Sequence, residues 1–241
     1  MIGNFKRIAK SILSNFPSIY TRVEHRNQRY KVNERSVEYA FALKCFSEIY
    51  PKMVLDVGTG TTAFPSVLRT CGAFVDAIDN IKDYWPSGMV NRHYYVENAN
   101  ILTPNVIEKT YDMVTCISVL EHIKQHEIAV RNMSARLNDG GYLCMTFPYT
   151  DELYYHNCYE EIGSSYGQNN PYITQSFSRE NIEHWCEQSG LEIVKQQYWQ
   201  MWSGHVWTVG DRVIPPRMVS ASDNHQICTI LLQKNINSAL A

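Results

Sequence analysis

Short apolar segments alternate along the chain with segments in which apolar residues recur every three or four positions. The short segments predict strands at 53–57, 73–78, 93–97, 112–117, 141–147, 191–199 and 226–233. Helical spacing predicts helices at 34–49, 63–71, 123–137 and 178–189. Several of the strands are almost wholly apolar, as buried parallel strands are. The alternation therefore predicts a doubly wound α/β fold, with helices on both faces of a mostly parallel sheet.

Two long segments interrupt this alternation. Residues 148–177 are rich in Tyr, Asn, Gly and Ser, and residues 200–224 contain Trp and Pro but no clear period. Connections of this length in a compact domain are commonly lids or binding loops. We therefore divide the chain into an N-terminal extension (1–34), an α/β domain (35–235) and a tail (236–241). The two long segments of the α/β domain are expected to form a lid over the substrate, that is, over the acceptor of the reaction.

The extension is basic, since residues 1–31 hold seven Lys or Arg and one Glu. Its first 16 residues have the apolar spacing of an amphipathic helix. Peripheral contact with an anionic membrane and an ordinary solvated helix face both explain this pattern. The extension lacks the apolar core and cleavage site of a signal peptide, and no run reaches about 18 apolar residues, so a cytoplasmic protein is predicted.

The sequence MVLDVGTG, at residues 53–60, is the strongest chemical signal. An apolar strand ends in Asp56, and the chain then turns through Gly58 and Gly60 towards a helix. Glycines allow close approach of a ligand to the backbone, and the helix offers free N–H groups. Asp79 ends the next strand, where a carboxylate can accept both hydroxyls of a ribose. These residues predict a nucleotide-binding turn.

Two cofactor classes share such a turn. Gly58, Gly60 and Ala63 also satisfy the G-x-G-x-x-G/A pattern of nicotinamide-binding domains. The carboxylate of Asp56 beside the turn would repel a pyrophosphate, whereas it suits a cationic ligand such as a sulfonium. An oxidoreductase-like domain is therefore an alternative, and a sulfonium cofactor is favoured.

Four segments together resemble the class I S-adenosylmethionine-dependent methyltransferases: DVGTG, AIDN, YDMVTCISVLEHI and LNDGGYLCMTFPY. The resemblance covers residues 35–147. It implies a Rossmann-like sheet of seven strands with the last, 226–233, antiparallel, and S-adenosyl-L-methionine as cofactor. It assigns to that cofactor, from its methionine end to its adenine, the residues Asp56, Gly58, Gly60, Asp79, Asn80, Ile81, Asn98, Asn100, Ser118 and Val119. Either Asn98 or Asn100 would replace the usual acidic residue near the adenine amino group.

Candidates for catalysis follow the fourth and fifth strands. His122 can act as a general base, since a neutral imidazole titrates near working pH. The alternative is that Glu121 and His122 only cap and orient the next helix. Tyr149 and His156 lie where the acceptor is expected, beyond the carboxyl ends of strands four and five, and His205 is a further candidate. No metal site is predicted.

The acceptor is predicted from a wider resemblance. NERSVEYAFAL, EHI, QSFSRENIEHWCEQSGLEIVKQQYW and HQICTILLQK resemble bacterial methyltransferases of surface-polysaccharide and secondary-metabolite biosynthesis. They favour a small-molecule or glycan acceptor and O-methylation of a sugar hydroxyl. The alternatives are a peptide or natural-product acceptor and a non-catalytic methyltransferase-like binding protein. Nucleic acid is disfavoured because the chain lacks an NPPY-type motif and a recognition module. Trp199, Trp202 and Trp207 fit either ligand stacking or core packing.

Overall fold

The computed structural model describes residues 33–85, 90–104 and 107–236. Its centre is an eight-stranded sheet with the order β3-β2-β1-β4-β5-β8-β6-β7. The strands are β1 (Met53–Val57), β2 (Phe74–Asp79), β3 (Glu97–Asn98), β4 (Tyr111–Ile117), β5 (Leu137–Pro148), β6 (Leu191–Trp202), β7 (Arg212–Val219) and β8 (Ile227–Lys234). The helices are α1 (Arg35–Ile49), α2 (Phe64–Thr70), α3 (Ile81–Tyr84), α4 (His126–Ala135) and α5 (Arg179–Ser189). Two 3₁₀ turns, Leu120–His122 and Cys158–Glu160, lie between them.

Strand direction agrees with the predicted doubly wound fold. Strands β1 to β5 pair in parallel, and β8 pairs antiparallel with both β5 and β6. The prediction that the last strand is antiparallel is therefore confirmed. The strand order reverses between β1 and β4, and ligands of open α/β sheets bind beyond the carboxyl ends of the strands at such a point. Both the glycine turn after β1 and the segment after β4 lie there.

The sheet has one strand more than predicted. The segment 200–224, expected to be a loop, contains the end of β6 and all of β7, which pairs antiparallel with β6. Pro215 and Pro216 obscured this strand, because proline cannot donate to a ladder. They are accommodated because β7 lies at the sheet edge, where one side of the strand has no partner.

Two further boundaries were wrong. The strand predicted at 93–97 is only Glu97–Asn98, which pairs with the end of β2. The helix predicted at 123–137 is shorter, because a 3₁₀ turn precedes it and β5 already begins at Leu137. Residues 138–140, which lie between the predicted helix and the predicted strand 141–147, belong to β5, whose register against β4 is irregular there.

The core forms on both faces of the sheet because successive strand residues point to opposite sides. On β1, Leu55 packs with Met133 of α4 and Trp185 of α5, whereas Val54 packs with Phe46 of α1 and Leu68 of α2. All of these side chains are buried. A third apolar cluster joins the 3₁₀ turn at Cys158–Glu160 to the end of β6. The clusters thus cover both faces of β1, β4 and β5, whose carboxyl ends carry the loops described below.

None of the helices in the described parts of the chain has both the length and the apolar character needed to cross a membrane. The basic extension, for which contact with an anionic membrane was predicted, lies outside the described residues.

Candidate active site

The glycine turn after β1 has the backbone that its sequence predicts. Gly58 and Gly60 have φ angles of +75° and +56°, in the left-handed region that favours glycine. A Cβ at Gly58 would lie 2.4 Å from the methyl carbons of Val119, so the end of β4 packs directly on the turn. A Cβ at Gly60 would meet nothing within 4 Å. The backbone at Gly60 is therefore open to a ligand, while Gly58 is closed by Val119.

Asp79 joins the end of β2 to this turn. Its Oδ2 accepts a hydrogen bond of 2.7 Å from the backbone N–H of Gly60. Burial raises the pKa of the Asp79 carboxyl, and hydrogen bonds from Gly60 and Trp85 oppose that shift. The carboxylate thus lies beside the open glycine, at the position expected for a ribose.

Asp56 supports the turn from within the sheet. Its two carboxylate oxygens accept hydrogen bonds from the hydroxyls of Thr59 at 2.6 Å and Thr115 at 2.7 Å. Burial raises the pKa of Asp56 to about 6, and the charge of Asp79 adds to the shift. Two neighbouring carboxyl groups give the turn a negative field near neutral pH, which favours a cationic ligand over a pyrophosphate.

Asn91 is a residue of the turn that sequence reasoning missed. Its Nδ2 donates to the carbonyl oxygens of Gly60 and Thr62, each at 2.9 Å. Its Oδ1 accepts from the N–H groups of His93 and Tyr94. Asn91, two residues before the strand predicted at 93–97, thus fastens the glycine loop from outside. A lone Asn in a polar stretch carries no signal for this role.

The residues expected around an adenine lie at the ends of β2 and β3. Asn80 immediately precedes α3, which begins at Ile81. The Oδ1 of Asn98 accepts from the N–H of Lys82 at 2.8 Å, and that of Asn100 accepts from the N–H of Leu102 at 2.9 Å. Both amides are thus held in place by backbone donors. Which of the two would lie near the adenine amino group stays open.

Helix α1 contributes a buried polar group that sequence reasoning also missed. Glu38 is fully buried and accepts hydrogen bonds from the hydroxyls of Ser118 at 2.5 Å and Thr146 at 2.8 Å. Arg35 forms an ion pair with it at 2.8 Å. Burial raises the pKa of Glu38, while Arg35 lowers it. Ser118 has a φ of +50°, and these bonds hold it in that strained conformation. A charged residue on the apolar face of α1, one turn before Ala42, was the available signal.

Tyr39, also on α1, covers the start of α2. Its ring stacks on Phe64 with the centroids 4.7 Å apart, and its hydroxyl bonds to the side chain of Thr62. Helix α1 therefore contacts both the glycine loop and the end of β4. It belongs to the site, although its sequence predicts only a packing helix.

His122 is oriented as a proton acceptor. Its Nδ1 lies 2.7 Å from the carbonyl oxygen of Ile173, so Nδ1 carries the proton and donates it. The lone pair is consequently on Nε2. Burial lowers the pKa of His122 below its ordinary value of 6.5, and the neutral imidazole prevails at neutral pH. Tyr172 packs edge-on against the ring at a centroid distance of 4.7 Å.

Glu121 is buried next to this imidazole. Its Oε1 lies 3.9 Å from Nε2 of His122, and its Oε2 has no hydrogen-bond partner in the part of the chain that the structure describes. Burial raises the pKa of Glu121 to about 8. Its carboxyl group is therefore largely protonated at neutral pH and can donate a hydrogen bond. An unpartnered buried polar atom at this place is consistent with a ligand site.

The other candidate catalytic residues lie in separate contacts. Tyr149 is buried, its hydroxyl donates to Asp151 at 2.9 Å, and burial raises its pKa further above the ordinary value. His156 is exposed, with Nδ1 3.5 Å from the hydroxyl of Tyr154. His205 is exposed too and lies near Tyr155. The structure groups Glu121 with His122, and it gives each of these three a different neighbour.

The tryptophans of the second long segment pack in the structure. Trp202 and Trp207 are buried in the cluster around the end of β6, and Trp199 packs against it. The guanidinium of Arg212 lies 5.0 Å from the ring centre of Trp202 and 5.4 Å from that of Trp207. Arg212 also contacts Glu34 at 3.3 Å, so this cluster joins β7 to the start of α1. The sequence left ligand stacking and core packing open for these tryptophans, and Trp202 and Trp207 are core-packing residues.

Sequence comparison identifies a family and a set of relatives. A family model described as a methyltransferase domain matches residues 24–196. A ubiquinone biosynthesis O-methyltransferase of Coxiella burnetii is 26% identical over 155 residues. The alignment covers 59% of this chain and 64% of that protein, so the chain spans less than two thirds of the relative's length.

Solved structures share the fold. The 1,6-didemethyltoxoflavin-N1-methyltransferase of Burkholderia thailandensis superposes with a TM-score of 0.56 at 12% identity, covering 95% of this chain and 89% of that one. The N-methyltransferase NodS of Bradyrhizobium japonicum, solved with S-adenosyl-L-homocysteine, gives a TM-score of 0.53 at 15% identity, covering 83% and 87%. At such identities these similarities show the fold alone.

Proposed function

The chain belongs to the class I S-adenosylmethionine-dependent methyltransferases, and from that premise we propose that it methylates a hydroxyl of a small-molecule or glycan acceptor. The observation that carries this proposal is the geometry of His122. Its Nδ1 proton is fixed by Ile173, and its basic Nε2 is left beside the end of β4. A hydroxyl loses its proton when it is methylated, and an oriented neutral imidazole is well suited to accept that proton.

The residues of the glycine turn fit the cofactor. Open space at Gly60 admits it against the backbone, and the Asp79 carboxylate beside that glycine can accept ribose hydroxyls. Asp56 and Asp79 supply negative charge suited to a sulfonium and an amino group. When bound, S-adenosylmethionine supplies an activated methyl group on a positively charged sulfur.

The protein then has two tasks, to orient the acceptor oxygen and to remove its proton. His122 accepts the proton at Nε2, and its hydrogen bond to Ile173 stabilises the imidazolium that results. The buried carboxyl of Glu121 lies beside this nitrogen, with Oε1 3.9 Å from Nε2, and its raised pKa means that it adds little negative charge there. Both residues come from the single 3₁₀ turn after β4, which fixes their spacing.

The acceptor class that we propose is a sugar hydroxyl. Such a hydroxyl is a weak acid and depends on a base more strongly than a phenol does. Tyr172 lies against His122 and offers a ring on which a sugar or an aromatic acceptor can pack. The name of the Coxiella burnetii relative indicates O-methylation in that protein, which supports oxygen as the atom methylated here. Aromatic hydroxyls of natural products are therefore the second candidate acceptor.

Transfer of a labelled methyl group tests this proposal. The purified chain is incubated with methyl-labelled S-adenosylmethionine and either simple glycosides, catechols or primary amines, and the products are located by mass spectrometry. We expect label on oxygen, with glycosides above catechols. Label on nitrogen only, or the absence of label from every acceptor when the cofactor demonstrably binds, would contradict O-methylation.

A further inference from the structure

The Tyr-rich segment at residues 148–177, which we call the insertion, contains a cavity. We call this cavity the insertion pocket. Its volume is about 490 Å³, within the range of about 300–1,000 Å³ that small-molecule sites occupy. Tyr172 is the link to the active site, because it lines the pocket while its ring lies 4.7 Å from that of His122. The pocket is therefore adjacent to the proposed base and separate from the glycine turn.

The lining of the pocket is polar, with amides that donate and accept hydrogen bonds and carboxylates that accept them. Side-chain amides come from Asn157, Gln168 and Asn170, and carboxylates come from Glu160 and Glu161. Asn157 and Gln168 already bond to protein groups, whereas Nδ2 of Asn170 has no hydrogen-bond partner among the described residues. Amide and carboxylate groups can each bond two neighbouring hydroxyls, so Asn170 and Glu161 are the groups left for a ligand. Such a set suits a ligand whose surface carries many hydroxyls better than it suits a flat apolar ring.

Aromatic rings complete the wall. Tyr159 and Tyr172 both line the pocket and meet edge-on, with their centroids 6.4 Å apart. Rings beside hydrogen-bonding groups offer apolar surface to the C–H face of a sugar. The combination of polar edges and aromatic faces matches the two-sided surface of a pyranose.

The charge of the pocket limits the class of ligand that it can bind. None of the described residues that line it is Lys, Arg or His. The Glu161 carboxylate forms no ion pair with any described residue, whereas Glu160 accepts a hydrogen bond from Asn157 at 2.8 Å. Negative charge without a compensating cation repels phosphate, sulfate and uronate groups. A neutral or amino sugar is compatible with it.

The pocket is held in shape without a ligand. The backbone N–H of Ser164 donates to the backbone carbonyl oxygen of Glu161 at 3.0 Å, and the Ser164 hydroxyl lies 2.7 Å from that of Thr208. Ser165 donates to the carbonyl oxygen of Thr208 at 2.9 Å. These bonds tie the insertion to the loop before β7. A site ordered in advance loses less conformational entropy when it binds.

We propose that the insertion pocket is a glycosyl subsite, which holds a neutral or amino sugar unit of the acceptor while the adjoining unit reaches His122. This deepens the proposed function, on which it rests, by assigning an acceptor class that carries more than one unit. It also gives the long insertion after β5 a role in substrate selection.

Saturation-transfer NMR with S-adenosylhomocysteine present tests the subsite without knowledge of the natural acceptor. The probes are methyl glucoside, methyl glucosaminide, methyl glucuronide and catechol. The chains compared are wild type, Glu161→Ala and Asn170→Ala, with Glu152→Ala as the control because that exposed carboxylate is in the same insertion but does not line the pocket. Melting temperatures confirm that each variant is folded.

We expect the glucoside and the glucosaminide to bind the wild type in the millimolar range, about −4 kcal/mol. Their affinity should fall about tenfold in both pocket variants and stay unchanged in Glu152→Ala, while the glucuronide binds weakly throughout. Binding of the glucuronide equal to that of the glucoside, binding of catechol alone, or insensitivity to both pocket variants would overturn the subsite. Methyl transfer to catechol without sugar binding would remove the subsite and keep the proposed O-methylation, whereas sugar binding without methyl transfer to any hydroxyl would keep the subsite and remove the proposed O-methylation.

Discussion

Replacement of His122 with Ala is expected to lower kcat by about 10²- to 10⁴-fold, the usual contribution of a general base. Affinity for S-adenosylhomocysteine should stay within about twofold, because His122 is not one of the residues assigned to the cofactor and its ring contacts Ile173 and Tyr172 of the insertion. In the wild type, the rate should fall with acid at a pH below 6.5, since the pKa of His122 is lowered and only its neutral form accepts a proton.

The control for this variant is His184→Ala, which removes an exposed imidazole on α5. It should leave both kcat and the pH profile unchanged. His122→Gln is a second variant that keeps a donor for the carbonyl oxygen of Ile173 but has no basic nitrogen. Normal turnover in His122→Ala would show that the imidazole only orients the turn after β4, and would reassign the base.

Replacement of Asp79 with Ala is expected to weaken cofactor binding by about 10²-fold or more, equivalent to about 3 kcal/mol. The carboxylate supplies charge-assisted acceptors for ribose hydroxyls, each worth about 1.5–3 kcal/mol. The variant also loses the hydrogen bond that holds Gly60 in place. Isothermal titration with S-adenosylhomocysteine measures the effect directly.

Asp76→Asn is the matched control, three residues earlier on the same strand. Its carboxylate bonds to Lys109 and Tyr111 and does not contact the glycine turn. The substitution should leave cofactor affinity within about twofold. Equal affinity in Asp79→Ala and the wild type, with both folded, would place the ribose elsewhere.

Sequence alone predicted the parts of the site that local rules determine. Gly58, Gly60 and Asp79 follow apolar strands, and the geometry of a parallel sheet brings the carboxyl ends of those strands together. The family of the chain and the antiparallel last strand were predicted from the resemblance of four sequence segments to the class I methyltransferases, and both predictions are confirmed. Strand β7 was missed because Pro215 and Pro216 argue against a strand, and nothing local shows that the segment lies at a sheet edge.

The residues that sequence reasoning missed act across long stretches of chain. Glu38 bonds to Ser118 and Thr146, which lie 80 and 108 residues away. Asn91 reaches back 31 residues to Gly60. Their partners are set by packing of the whole fold, so propensity and spacing give no sign of them. The tautomer of His122 likewise depends on Ile173, a residue of the insertion.

Calorimetric titration of the wild-type chain with S-adenosylhomocysteine and, separately, with NAD tests whether the glycine turn binds the methyltransferase cofactor. Since Asp56 and Asp79 give the glycine turn a negative field, we predict that the homocysteine product binds one site with a Kd of about 1–10 μM, or roughly −7 to −8 kcal/mol. NAD, with its pyrophosphate, should give no measurable heat. Binding of NAD with no binding of S-adenosylhomocysteine would contradict the assignment of S-adenosylmethionine as the cofactor.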